Sequence, residues 1–98
     1  MRLTEREVQS IKNSFIKIFE HGSIFLFGSR LDDNQKGGDI DLYIVPAVMG
    51  ELALKKINFL VSLKKSIGEQ KIDVVIDRGE DRLIDKIAKK EGLLLCKN

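Results

Sequence analysis

The sequence predicts an α/β protein, a three-stranded mixed sheet with about four interleaved helices. Three observations carry this. Apolar residues recur at helical spacing in three stretches, near 8–19, 52–63 and 83–88. Short runs of β-branched and aromatic residues lie beside them at 23–27, 39–45 and 71–76, too short to be helices. Of the 98 residues, 43% are hydrophobic and 33% charged, enough to fill one small core and keep a solvated surface. Helices alternating with strands place the sheet under helices, and 1–98 reads as a single domain.

Thr4-Glu5-Arg6-Glu7 fits a capping box, hydroxyl and carboxylate each satisfying a free backbone N–H. Val8, Ile11, Phe15, Ile18 and Phe19 then form the buried stripe of a helix over about 4–21, which Gly22 is expected to end in a left-handed cap. Ser23 to Phe27 is an unbroken apolar run stopped by Gly28, a strand buried on both faces. Residues 29–38 are polar and glycine-punctuated, a loop with at most one helical turn. Asp39 to Val45 begins at period two and reads as a second strand, closed by Pro46. A second long helix is expected over about 48–67, with Leu52, Ile57, Leu60, Val61 and Leu63 inward and Lys55, Lys56, Lys64 and Lys65 outward. The third strand runs over 71–76. A last helix over 81–91 turns Leu83, Ile84, Ile87 and Ala88 to one side and stops at Gly92. Leu93-Leu94-Leu95 is left as an apolar tail.

Composition excludes several classes. One cysteine, Cys96, allows no internal disulfide, which suits a reducing cytoplasm. No apolar run is long enough to span a bilayer or serve as a signal sequence. Seventeen basic against fifteen acidic residues leave +2, and with so few aromatics direct nucleic-acid binding is not expected. A core this small favours a homo- or hetero-oligomer.

Asp39 and Asp41 carry the chemistry. Two apart on a strand, their side chains share a face, roughly 6.5–7 Å apart, while Ile40, Leu42 and Ile44 take the opposite face toward the core. Two anions so placed repel unless a cation lies between them, and oxygen ligands select a hard divalent ion, most simply Mg²⁺. Asp73, set among Ile72, Val74, Val75 and Ile76, needs a positive partner if buried, and joins the pair if its strand lies beside the second. Gly28-Ser29 after the first strand lets backbone approach a phosphate, Gly37-Gly38 relaxes the chain beside Asp39, and Arg30 and Lys36 offer positive charge. Singly, each has a plain structural reading: a solvated edge, a common turn, a buried carboxylate accepting backbone bonds. Their joint order is the specific signal.

Leu26-Phe27-Gly28-Ser29-Arg30, then Gly38-Asp39-Ile40-Asp41-Leu42, then Ile72-Asp73-Val74-Val75 resembles the minimal nucleotidyltransferases of the DNA polymerase β superfamily. The resemblance covers nearly the whole chain, although the nine residues between Ser29 and Asp39 are one fewer than is common in that family. It implies a small nucleotidyltransferase fold in which Gly28, Ser29 and Arg30 bind a nucleoside triphosphate, with ATP expected. Asp39, Asp41 and Asp73 would be catalytic and would hold two Mg²⁺ ions, with a hydroxyl attacking the α-phosphorus and pyrophosphate leaving. Minimal nucleotidyltransferases are frequently paired with a HEPN-domain protein, and in characterised pairs they act as antitoxins that modify a tyrosine of that ribonuclease toxin.

The remaining single residues read as structural. His21 suits a helix C-terminus, Cys96 is an incidental thiol at a frayed end, Asp32 and Asp33 are solvated, and Tyr43 packs beside Asp41. The expected activity is therefore Mg²⁺-dependent transfer of AMP to a hydroxyl acceptor in the cytoplasm, the acceptor or a second chain completing the site because no acceptor-binding domain remains. The alternative is a catalytically weak module that neutralises a HEPN-type partner by masking it. An antibiotic-modifying transferase or a polymerase fits less well, lacking an acidic acceptor pocket or a basic stripe.

Overall fold

Thr4 begins the first helix as its sequence requires: its hydroxyl accepts from the Glu7 N–H at 3.1 Å, and its own N–H donates to the Glu7 carboxylate at 2.9 Å. The computed structural model describes residues 3–28 and 39–98. Its elements in chain order are α1 (Glu5–Phe19), β1 (Gly22–Phe27), β2 (Ile40–Pro46), α2 (Leu52–Ile67), β3 (Ile72–Ile76), α3 (Leu83–Glu91) and β4 (Leu93–Lys97).

The sheet is mixed, as expected, but has four strands, in the order β3-β2-β1-β4. β2 pairs antiparallel with β1 and parallel with β3. The extra strand is the leucine tail. Residues 93–97 fold back along β1, Leu94 opposite Phe25 and Cys96 opposite Ile24, so Cys96 sits in a paired strand and not at a frayed end. Among the described residues there are three α-helices; the helical turn considered for 29–38 lies outside them.

One face of the sheet makes the core. Ile24 and Leu26 of β1, Ile40, Leu42 and Ile44 of β2, and Ile72, Val74 and Ile76 of β3 pack against Ile11, Phe15 and Phe19 of α1 and Phe59 and Leu63 of α2. Phe15 stacks on Phe19 at 5.7 Å between centroids, and Phe19 meets Phe59 edge-on at 6.1 Å. No helix among the described residues is long and apolar enough to cross a membrane.

Three expectations are corrected. The positive-φ residue closing α1 is Glu20 (φ 66°); Gly22 (φ 126°) instead starts β1, where a side chain would strike the Val45 carbonyl of the paired strand. α2 begins at Leu52, four residues late, and its buried anchors are Phe59 and Leu63, while Ile57 and Val61 face solvent. The Ser14–Ser62 hydroxyl contact at 3.0 Å and the Phe19–Phe59 contact fix that rotation.

α3 is turned over. Leu83, Ile84 and Ile87 are exposed, and the buried residues are Asp85 and Ala88. Polar groups on the sheet explain this, because they need partners once covered. The buried Tyr43 hydroxyl donates to Asp85 Oδ1 at 2.8 Å, and Arg82 grips the same carboxylate through its backbone N–H (2.7 Å), Nε (3.0 Å) and Nη2 (3.0 Å). Arg82 Nη2 also reaches the Ile76 carbonyl at 2.8 Å, tying the helix to the end of β3. The Arg82 guanidinium holds the Asp85 carboxyl well below the usual range despite burial, and burial together with the Asp85 bond drives the Tyr43 hydroxyl upward, so it remains a donor. Replacing Tyr43 by Phe is expected to cost about 2 kcal/mol, the worth of a hydrogen bond to a charged group, in urea unfolding. A loss under about 0.5 kcal/mol would mean that apolar packing, and not this bond, sets the orientation of α3.

Candidate active site

The face of the sheet turned away from α1 and α2 carries the acidic residues. Alternation along β2 puts Ile40, Leu42 and Ile44 into the core, so Asp41 and Tyr43 project the other way, and Asp39 just before the strand continues that column. The parallel register sets Asp41 directly beside Asp73, about 4.8 Å away across the strand spacing, and Ile40 beside Ile72. Tyr43, the next residue of the column, is fully buried and its hydroxyl is committed to Asp85, so it ties α3 to the sheet.

Lys71 completes the patch and was not foreseen. Two residues before Asp73 it shares that residue's side of β3, and its Nζ lies 3.3 Å from Asp39 Oδ2. The pair is solvent-exposed and contributes little to stability. Its hydrogen bond to Asp39, with the charges of Asp39, Asp73 and Asp41, pushes the ammonium upward. The same parity rule that aligned Asp39 with Asp41 aligns Lys71 with Asp73, so the signal was present.

Asp39 and Asp41 are half-buried and Asp73 is exposed. Burial first, then the charges of Asp73 and Asp39, raise the Asp41 carboxyl above its ordinary value of 3.8, with Lys71 partly opposing. The three acids therefore act on one another through space. Their donor set, carboxylate oxygen throughout, is the kind that suits a hard divalent cation. Among the described residues no group of three His, Cys, Asp or Glu side chains stands close enough together to hold a metal ion. An ion here would be gripped by one or two carboxylates, leaving coordination positions for substrate.

Gly28 lies against this patch. It follows Phe27, the partner of Asp41 in the β1–β2 ladder, and has φ +84°. A Cβ at Gly28 would collide with the Asp41 carboxylate, coming 3.0 Å from its Cγ. The glycine thus serves both a left-handed backbone and close approach to the acid. Ser29, Arg30, Lys36, Gly37 and Gly38, singled out for phosphate, lie outside the described residues.

Residues 9–98 match the family described as Polymerase beta, Nucleotidyltransferase. The chain belongs to the polymerase beta nucleotidyltransferase family. The match takes in all four strands and most of α1, so Asp39, Asp41 and Asp73 of this nucleotidyltransferase fall within it. No curated protein matches the chain at a significant level.

Two outcomes follow from the geometry. Gly28→Ala should destabilise the nucleotidyltransferase by about 1–2 kcal/mol or more in chemical denaturation, whereas Gly50→Ala, where an added Cβ meets nothing, stays within about 0.5 kcal/mol. Equal effects would mean that Gly28 is not held against Asp41. Asp41→Asn, in buffer free of divalent cations, should raise Tm at pH 7. A raised carboxyl pKa means that the folded state binds the proton more tightly, so ionisation destabilises it as pH rises through the folded value. The gain should shrink as pH falls through that value and disappear below 3.8. A Tm of Asp41→Asn that is lower at pH 7 would show that Asp41 is not under repulsion.

Proposed function

We propose that this nucleotidyltransferase moves AMP from ATP to a hydroxyl of a protein acceptor, a tyrosine of a HEPN-domain toxin, and so acts as an antitoxin. The observation that carries the reading is the register of β2 and β3, which sets Asp41 beside Asp73, with Asp39 in the same column, next to a glycine turn. The HEPN partner and the choice of ATP rest on the resemblance to the minimal nucleotidyltransferases.

In this reading Asp39, Asp41 and Asp73 are the carboxylates that would hold Mg²⁺, with two ions expected in the full complex, and the bound metal would supply charge stabilisation to the entering and leaving oxygens. Gly28, with Ser29 and Arg30 beyond it, receives the triphosphate, the backbone of Gly28 being free of the side chain that would block approach. The acceptor oxygen bonds to the α-phosphorus, the α–β phosphoanhydride P–O bond breaks, and its electron pair leaves with pyrophosphate. The hydroxyl proton passes to Asp73, the exposed member of the set. Asp41, whose carboxyl is raised by burial and then by the charges of Asp73 and Asp39, is relieved when positive charge arrives.

Incubation with ATP, Mg²⁺ and a HEPN partner, followed by intact mass measurement, should show an increase of about 329 Da per adenylyl group on the partner. The double change Asp39→Asn with Asp41→Asn should cut the rate by about two orders of magnitude or more. Absence of any increase with every nucleotide tried counts against transfer. Neutralisation of the partner that survives the double change undiminished would establish masking as the mechanism instead.

A further inference from the structure

α2 presents an apolar stripe to solvent. Leu54, Ile57 and Val61 are 54%, 58% and 48% exposed, at spacings of three and four that put them on one side of the helix. They point away from Phe59 and Leu63, the residues that anchor α2 to the core. A helix with one buried face normally carries polar residues there, so three aliphatic side chains in that position are anomalous.

Past its N-cap residue Glu51, the helix that carries the stripe has charge of one sign. Leu52–Ile67 contains Lys55, Lys56, Lys64 and Lys65 and no acidic residue. Among the described residues none of these lysines makes an ion pair. Beside the stripe, α1 and α2 enclose a shallow groove of about 370 Å³, where Ile18 and Val61 are flanked by Lys17 and Lys65, with Asn58 and Ser62 adding neutral polar groups. The basicity is local, because the whole chain carries only +2. The helical layer covers the sheet face opposite Asp41 and Asp73, so an occupant would leave the carboxylates open.

Charge complementarity selects among occupants. A second copy seated on this face would set lysines against lysines, which is repulsive. A membrane is flat, whereas the groove is concave and suits a ridge of side chains. We propose that the outer face of α2, with the α1–α2 groove, docks an amphipathic helix of a partner protein whose apolar ridge is flanked by aspartate and glutamate. This does not depend on the catalytic reading and holds for transfer and for masking alike.

The probe is a synthetic helical peptide about three heptads long with a leucine seam flanked by glutamates, titrated against the intact chain by fluorescence anisotropy. A second peptide carries lysines in place of the glutamates. The acidic peptide should bind about tenfold or more tightly than the basic one and weaken as salt is added. Val61→Asp should reduce its affinity about tenfold, and Lys64→Glu with Lys65→Glu should reverse the preference between the peptides. Val61 and Lys65 are exposed and Lys64 is half-buried, and an unchanged melting profile verifies the fold of each variant. Equal binding of the two peptides, or affinity untouched by both variants, overturns the proposal. So does tighter binding to phosphatidylserine vesicles than to the acidic peptide, or a dimer in sedimentation equilibrium that Val61→Asp dissolves.

Discussion

β2 cannot slip. Ile40, Leu42 and Ile44 are wholly buried on one face, and a shift of one residue would exchange them for Asp39, Asp41 and Tyr43. Burying each aliphatic side chain is worth about 1.5–3 kcal/mol, so the shift would consume a large part of a typical domain's stability. Setting Asp41 beside Asp73 costs about 1 kcal/mol of Coulomb repulsion in water-like surroundings. The core outweighs that repulsion several-fold. The apolar half of the strand is thus what holds the anions together, and the site is a consequence of packing on the far side of the sheet.

The same face carries a second polar set, built by opposite electrostatics. Lys89 lies 2.7 Å from Asp77, and with the Gly79 N–H it holds the Asp77 carboxyl below its usual range, as Arg82 does for Asp85. Depressed carboxyls contribute stability that is present above the unfolded value of 3.8 and lost as pH falls through the folded one. Asp41 has the reverse sign. Along one column of β2, then, the strand passes from Asp39, paired with Lys71 at the surface, through Asp41, whose nearest charges are other carboxylates, to the fully bonded Tyr43, and α3 covers that last end. A helix docked by charge and hydrogen bonds stops where those partners stop, which leaves the acidic end outside the cover of α3.

Local signals were the legible ones. The Thr4 capping box, the period-two alternation of Asp39 to Ile44 and the Gly28 turn each involve residues close in sequence, and all three stand in the structure. The adjacency of Asp73 rested on strand order, which a run such as Ile72 to Ile76 does not specify by itself; the parallel β2–β3 pairing supplies it. β4 was missed because three successive leucines carry no alternation, and their strand conformation comes from β1, some seventy positions away in the chain. The face of α3 was misread because periodicity counts apolar residues and takes no account of Tyr43 waiting on the sheet. Lys71 was passed over because a lysine at a strand's start has an ordinary solvated reading; only its place beside Asp39 gives it meaning.

Lys71 also shows why this patch is tolerated before any ligand arrives. Among the described residues, the Lys71 ammonium relieves part of the repulsion without closing the site, since it pairs with Asp39 alone and is itself largely exposed. A buried ion pair in that place would be costly to break, and would hold the carboxylates away from any other cation. An exposed one exchanges readily, because solvent screens what it gains. Among the described residues Lys71 is the counter-charge of the patch, and its pairing with Asp39 leaves the repulsion between Asp41 and Asp73 in place within a fold that the opposite face has already made stable.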